Sequence, residues 1–301
     1  MRLTGRGATL AKWVQLLVTG ITVGSIYSLI ALGYVTIYRT SRIVNMAQGA
    51  FVMFGALFTF SFLSEIGLPY WLSAIFGIVV VVIIAVVMYL LVLRPLIKIS
   101  LVSIILATMA LSILFENVSL LRWGGYGKSV PAFTGDKALF IGKVAVFPQS
   151  LWVIGLMVLV LVGLYVLTNR TRVGKQMTAT ANDPGAASLS GVSTGRMIIL
   201  AFAISAAIGA LGGIAITPIN STNYLSGGIY ALSGFVAAIL GGWGSSSGAV
   251  VGGLALGIIE SLVTGVLPTG YQDAVAYALL ILLLYFRSSG LLGIPSSEGE
   301  A

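Results

Sequence analysis

Apolar runs of about 20 residues recur along the chain, and they constrain its fold more than any other feature. The runs 13–38, 71–93 and 100–121 are each long enough to cross a bilayer as an α-helix. Hydrophobic residues make up 58% of the chain and charged residues only 8%, against roughly a quarter charged in a typical soluble domain. Because a soluble core of this size cannot bury so much apolar surface, the sequence predicts an all-α, polytopic transmembrane helical bundle.

Counting the apolar runs predicts eight or nine crossings within a single transmembrane domain, residues 1–301. Two segments leave the number open. Segment 46–63 is short for a span, and segment 217–240 starts with a polar stretch before a run too short to cross unaided. We expect broken or re-entrant helices there. The remaining candidate spans are 151–167, 197–216, a run ending at Val266, and 273–286.

The chain lacks the residue types that most enzyme chemistry needs. It has no Cys and no His, which removes thiol chemistry, imidazole catalysis and the usual transition-metal ligands. Gly127-Lys128-Ser129 ends like a phosphate-binding loop, but position 122, where the pattern needs glycine, is Arg122. The sequence therefore predicts no enzymatic activity, no metal and no cofactor, and any ATP must be bound by another chain.

The net charge of +8 comes from Lys and Arg in short loops between apolar segments. This placement favours membrane anchoring and contact with anionic lipid over nucleic-acid binding. Of the two long loops, 122–149 and 168–196, the first contains an alternating stretch, 139–147, that predicts a hairpin, and the second is basic. If loop 168–196 is cytoplasmic, nine spans place loop 122–149 and the N-terminus outside. A re-entrant segment 46–63 leaves eight crossings and moves the N-terminus inside.

Two groups of residues are candidates for a substrate pathway. Asn45, Gln48 and Gly49 lie at a membrane boundary in backbone that is not obviously helical, which is tolerated where it lines a water-filled cavity. Glu260 lies inside an apolar run, where an ionisable side chain is costly unless paired. The alternatives are a polar turn with a helix cap for the first group, and a structural hydrogen bond for Glu260.

The basic loop, residues 168–196, contains a predicted helix start. Asp183 can cap free N–H groups, Pro184 suits the first helical turn, and Gly191 can end the helix. Such a short helix of small residues would form a small protrusion that docks a partner protein, and the alternative is a plain connecting loop. If the helix docks a partner, Ala187→Arg should leave the protein inserted and stable but uncoupled.

Taken in order, several stretches resemble the permease subunits of branched-chain amino acid ABC importers, the LivH type. The resemblance covers 15–293. Its signature is usually Asn-Phe-Ala-His-Gly-Glu, and here Gln48 replaces the His and Ala50 the Glu. The matching stretches are 24–34, 42–50, 94–95, 174–179, 182–187, 240–244 and 253–260.

This resemblance implies a multi-pass protein of the bacterial or archaeal cytoplasmic membrane that alternates access. It implies a second permease subunit (a paralogue or an identical copy), two cytoplasmic ATPases docked on the basic loop, and an extracytoplasmic substrate-binding protein. The nine-span, N-out arrangement is favoured. The implied ATPase-coupling residues are Gly174, Lys175, Asn182, Asp183, Pro184, Ala186, Ala187, Leu189 and Gly191.

The substrate stays open at this point, because the family also carries other amino acids, amides such as urea, and small organic or aromatic acids. Two other functions compete with ATP-driven import. An ion-coupled secondary transporter needs charged groups near the bilayer midplane, where Glu260 alone qualifies. A structural membrane subunit of an energy-coupling complex predicts no pathway at all.

Overall fold

The computed structural model describes residues 5–97, 99–135, 137–142, 144–268 and scattered positions between 271 and 292. The predicted span 273–286 falls largely outside these residues, as does Lys98. Within them the protein is a helical membrane bundle with one short hairpin, which confirms the predicted fold class.

The helices follow the apolar runs. In the part of the chain that the structure describes, six helices are long and apolar enough to cross a membrane, and α10 is a shorter apolar helix. Two π-helical segments, Ser61–Glu65 and Tyr89–Leu93, continue α2 and α3. The helices are α1 (Gly5–Ser41), α2 (Gln48–Phe60), α3 (Tyr70–Met88), α4 (Arg94–Leu96), α5 (Leu101–Trp123), α6 (Pro148–Arg170), α7 (Arg172–Asn182), α8 (Pro184–Leu189), α9 (Thr194–Ile216), α10 (Ser226–Gly241) and α11 (Ser246–Thr264).

The predicted hairpin in loop 122–149 is confirmed, with β1 (Leu139–Ile141) paired antiparallel to β2 (Val144–Val146). It marks one end of the bundle, called here the hairpin end. The Gln15 side chain near the start of α1 both donates to and accepts from the backbone of Ala145, at 3.0 and 2.9 Å. The loop before α10 reaches the same end, because Lys128 and Thr222 form a backbone bridge.

The opposite end of the bundle carries the basic loop and is called the basic-loop end. Arg39, at the end of α1, donates to the hydroxyl of Ser246 at the start of α11. Arg39 also shares a small pocket with Thr168 and Met177 of the basic loop. Loops 122–149 and 168–196 therefore lie at opposite ends, as the nine-span arrangement requires.

Aromatic side chains gather near the hairpin end. The rings of Trp71 and Trp152 lie 6.1 Å apart, and Phe133 packs against Tyr70 at 5.2 Å. Trp and Tyr concentrate where a membrane meets water, because their rings are amphipathic. This cluster is therefore consistent with a membrane boundary near the hairpin end.

Helix α2 begins inside the bundle rather than at its surface. The chain turns at Arg42, which has a positive φ of 58°, and continues without helix to Ala47. The backbone N–H of Met46 then donates to the hydroxyl of Thr108, about 10 Å inside α5. The predicted non-helical backbone at membrane depth is therefore present. Segment 46–63 is the second part of a broken pass, meaning a membrane crossing that begins as non-helical chain and continues as a helix.

Helix α10 also starts inside the bundle, and its first turn meets that of α2. A Cβ atom on Gly49 would collide with the carbonyl oxygen of Gly227, so only glycine allows this approach. The Tyr34 hydroxyl of α1 donates to the Ala231 carbonyl at 3.1 Å. Segment 217–240 is therefore a second broken pass, with a non-helical part at the hairpin end.

The most extensive helix pair, α1 with α11, is held by small residues. Gly24 on α1 faces Gly253 and Gly257 on α11, with backbone almost touching backbone. Ser28 extends the same seam, and its hydroxyl donates to the Val250 carbonyl at 3.0 Å. Small residues let membrane helices approach closely enough for van der Waals contact to stabilise the pair.

The placement of the two loops predicts a labelling result. Ser129 and Ser188 are both exposed and lie at opposite ends. Because the chain has no native cysteine, Ser129→Cys should react in intact cells with a thiol reagent that cannot cross membranes. Ser188→Cys should react only after the cells are opened. Labelling of Ser188→Cys with protection of Ser129→Cys in intact cells would invert the orientation.

Candidate functional site

Gln48, a predicted pathway residue, is buried in a polar link among three helices. Its amide nitrogen donates to the Ser205 carbonyl at 3.2 Å, and its oxygen accepts from the Ser205 hydroxyl at 2.7 Å. Ser205 also approaches the Gly33 carbonyl at 2.8 Å. The interaction joins α1, α2 and α9 at about the middle of α9, so Gln48 lies in a closed layer of the bundle.

Asn45 is buried next to this layer. Its Oδ1 accepts from the backbone N–H of Ala47 at 3.2 Å, which shapes the turn into α2. Its Nδ2 has no hydrogen-bond partner among the described residues. A buried donor left without a partner costs about 1–3 kcal/mol, which is consistent with a site that rearranges.

Glu260 lines a cavity of about 470 Å³ that the sequence could not outline. The cavity lies among α1, α10 and α11 and reaches the hairpin through Ala145 and Phe147. Glu260 is only 5% exposed, and its Oε2 accepts from the Tyr27 hydroxyl at 2.8 Å. The further polar lining residues are Gln15, Thr19, Thr22, Ser150, Asn220, Tyr230, Ser233, Ser261 and Thr264.

The four predicted pathway residues thus occupy two places. Asn45, Gln48 and Gly49 lie together at the start of α2, where Gln48 contacts Gly33 of α1 and Gly49 contacts Gly227 of α10. Glu260 contacts Tyr27, which lies on α1 about 9 Å nearer the hairpin end than Gly33. Sequence reasoning missed Tyr27. The available signal was spacing, because Tyr27 follows Gly24 by one turn of α1 and Glu260 follows Gly257 by one turn of α11.

The basic loop contains two short helices, α7 and α8. The predicted start of α8 is confirmed, since Asp183 Oδ1 accepts from the N–H groups of Gly185 and Ala186 at 2.8 and 2.9 Å. The predicted stop is also confirmed. Gly191 has a φ of 82°, and Val192 N–H donates back to the Ala187 carbonyl, a common glycine-terminated helix end.

Helix α7 was not predicted. Its inner face consists of Gly174, Met177 and Thr180, and this spacing of three was the signal that the sequence offered. Gly174 is needed there because a Cβ atom would collide with the Leu167 carbonyl of α6. Gly174 thus keeps α7 against the end of α6.

The exposed face of α8 is not the one expected from sequence. Ala187 is only 5% exposed and lies on the inner side of α8, whereas Leu189 is 92% exposed at its end. Contrary to the expectation above, Ala187→Arg would disturb the packing of α8 and cannot test docking alone. Among the predicted coupling residues, Gly174 and Ala187 are buried, and those exposed at the surface are Lys175, Asn182, Asp183, Pro184, Ala186, Leu189 and Gly191.

Known proteins resemble this chain along almost its whole length. The family model for the permease component of the branched-chain amino acid transport system matches residues 16–284. The high-affinity branched-chain amino acid permease LivH of Escherichia coli K12 is 31% identical, over 95% of this chain and 97% of the relative. The high-affinity branched-chain amino acid permease BraD of Pseudomonas aeruginosa is 32% identical, also over 95% of this chain and 97% of the relative. The ribose import permease RbsC of E. coli K12 is 24% identical over 59% of this chain and 58% of its own.

Proposed function

Because this chain belongs to the family of permease components of branched-chain amino acid transport systems, we propose that it forms the membrane pathway of an ATP-driven importer for branched-chain or similar small amino acids. The observation that carries the proposal is the family match from residue 16 to residue 284. It extends from α1 past α11 and so includes the cavity, both broken passes and the basic loop.

The proposed importer contains two permease chains, identical or paralogous, and two cytoplasmic ATPases. We place the ATPases at the basic-loop end, where α8 presents the exposed Leu189. Orientation is supported by charge, since cytoplasmic loops of membrane proteins carry an excess of Lys and Arg. The basic residues described near this end are Arg39, Arg42, Arg94, Arg170, Arg172, Lys175 and Arg196.

A substrate-binding protein would deliver its cargo at the hairpin end, where the cavity begins. The layer of Gln48, Ser205 and Gly33 lies deeper, toward the basic-loop end, and we assign it to an inner gate. In this scheme the permease performs no chemistry. ATP hydrolysis on the partner subunits changes which end of the pathway is open, and Asn45 gains a partner for its Nδ2 when the gate rearranges.

The substrate assignment can be tested through the cognate substrate-binding protein that the proposal requires. We expect purified binding protein to bind leucine, isoleucine or valine, and the loaded form to stimulate the ATPase of the assembled transporter. Ribose serves as the matched negative ligand because one relative is a ribose permease. A binding protein that takes up ribose and none of these amino acids would overturn the substrate and leave the importer intact.

A further inference from the structure

A separate groove, called here the Arg39 groove, lies at the basic-loop end of the bundle. It has a volume of about 530 Å³ and is bounded by the ends of α1 and α6, the start of α11, and Leu292. None of its described lining residues lines the cavity that contains Glu260. The proposed transport cycle therefore gives this groove no role.

One wall of the Arg39 groove is a continuous stripe along α6 that changes from apolar to polar. Leu161, Val162 and Tyr165 line the groove on the same side of the helix as Thr168 and Asn169, because residues three, four and seven apart share a helix face. Val162 and Tyr165 are more than half exposed, as expected for side chains that contact acyl chains. About 10 Å of helix separates Val162 from Asn169, so the stripe extends from the headgroup level into the hydrocarbon.

The polar end of the Arg39 groove forms where α1 ends and α11 begins. Gly244 turns the chain with a φ of 91°, and the Ser245 hydroxyl accepts from the Gly248 N–H at 3.0 Å as α11 starts. The Arg39 guanidinium donates to the Ser246 hydroxyl at 3.3 Å, which holds the cation at the groove. The other polar lining residues are Thr168, Asn169, Ser245 and Ser247.

The charge of the Arg39 groove favours an anion. Arg39 is the only charged residue among the described residues that line it, and within the described part of the chain Arg39 forms no ion pair. Its bond to Ser246 uses one of five guanidinium N–H groups. Donors therefore remain for a phosphate, which arginine can bind through two N–H groups at once.

We propose that the Arg39 groove binds an anionic phospholipid, with the lipid phosphate at Arg39 and an acyl chain along the apolar stripe of α6. Basic pockets between membrane helices on the cytoplasmic side are known to bind anionic lipid headgroups. A soluble anion would use only the polar end and leave Val162 and Tyr165 uncovered. The lipid would connect α1, α6 and α11 beside the basic loop, and its binding depends on neither the cargo nor the partner subunits proposed above.

Native mass spectrometry of the detergent-purified permease tests this preference. The protein is offered equal amounts of phosphatidylglycerol and phosphatidylcholine with identical acyl chains, and the first bound lipid is identified. We expect mainly phosphatidylglycerol. The ratio of bound phosphatidylglycerol to phosphatidylcholine should fall roughly fivefold in Arg39→Gln, as the loss of one basic group beside an anionic headgroup predicts. An unchanged ratio, in Arg39→Gln protein that elutes as one monodisperse species, overturns the proposal.

Two control variants separate the site from general attraction to the basic-loop end. Arg39→Lys keeps the charge and should keep most of the preference for phosphatidylglycerol. Arg170→Gln removes an exposed charge at the same end, outside the groove lining, and should leave the ratio unchanged. An equal fall in Arg39→Gln and Arg170→Gln would mean that the basic end attracts anionic lipid without a defined site.

Two further measurements identify the source of the phosphate. Glycerol phosphate, which carries no acyl chain, should not displace bound phosphatidylglycerol, and full displacement would reduce the groove to a site for soluble anions. Phosphatidylglycerol with a diazirine on its acyl chain should crosslink to residues 161–165 of the unaltered permease in lipid nanodiscs.

The crosslinking experiment needs no variant, so it remains decisive if Arg39→Gln does not fold. Absence of crosslinks to residues 161–165 overturns the proposal. Absence of these crosslinks together with poor ATPase retention by Arg39→Gln would assign the groove to a protein partner instead of a lipid.

Discussion

Replacing Leu189 with arginine is expected to abolish import while the permease still inserts and folds. Leu189 is 92% exposed at the end of α8, so the change disturbs no contact within the chain. If α8 docks into an ATPase groove, burial of a leucine contributes about 2 kcal/mol to the interface, and arginine would place a charge in the same groove. We expect at least about a 30-fold weaker ATPase association, with import lost.

The matched control is Tyr126→Arg, which changes another large exposed side chain at the opposite end. It should leave co-purification of the ATPase unchanged. The measurement is the amount of ATPase retained by affinity-purified permease, together with binding-protein-stimulated ATP hydrolysis. Full ATPase retention by Leu189→Arg would show that the basic loop is only a connector, and docking would have to use another segment at that end, such as Arg94–Leu96.

Gly257→Leu is expected to prevent assembly of the bundle. Even a Cβ atom at this position would collide with the backbone of Gly24 and the carbonyl of Gly20. Overpacking costs about 1–3 kcal/mol where side chains can shift, and here two helix backbones would have to separate. We expect loss of monodisperse protein in detergent size-exclusion chromatography.

Gly155→Leu provides the control, because Gly155 lies within α6 and has no atom within 4 Å of its hypothetical Cβ. It introduces the same side chain into a membrane helix and should give normal yield and thermal stability. Equal behaviour of the two variants would mean that α1 and α11 do not pack through this glycine seam.

Features set by local chemistry could be read from the sequence. The apolar runs predicted the membrane helices. The residue types at Asp183 and Gly191 predicted where α8 starts and ends. The hairpin followed from its alternating pattern. Each of these depends on a few neighbouring residues, so no tertiary information was needed.

Features that depend on how the helices pack against one another could not be predicted from the sequence. The apolar pattern of α2 does not reveal that its first residue lies beside Ser205 in the middle of α9. The buried side of α8 depends on how the helix rests on the bundle, which is why Ala187 was assigned to the wrong face. Likewise Gln48 and Glu260, grouped by sequence as one pathway, occupy separate levels because different helices hold them.

The most direct test of the account is transport by purified components. The permease, its two ATPases and its cognate binding protein are reconstituted in liposomes, and entry of radiolabelled leucine is followed without any ion gradient. The account predicts accumulation that needs ATP, the binding protein and an intact Leu189, and that stops when the ATPases are omitted. Leucine accumulation by the permease alone, driven by a sodium or proton gradient, would contradict it and establish a secondary transporter.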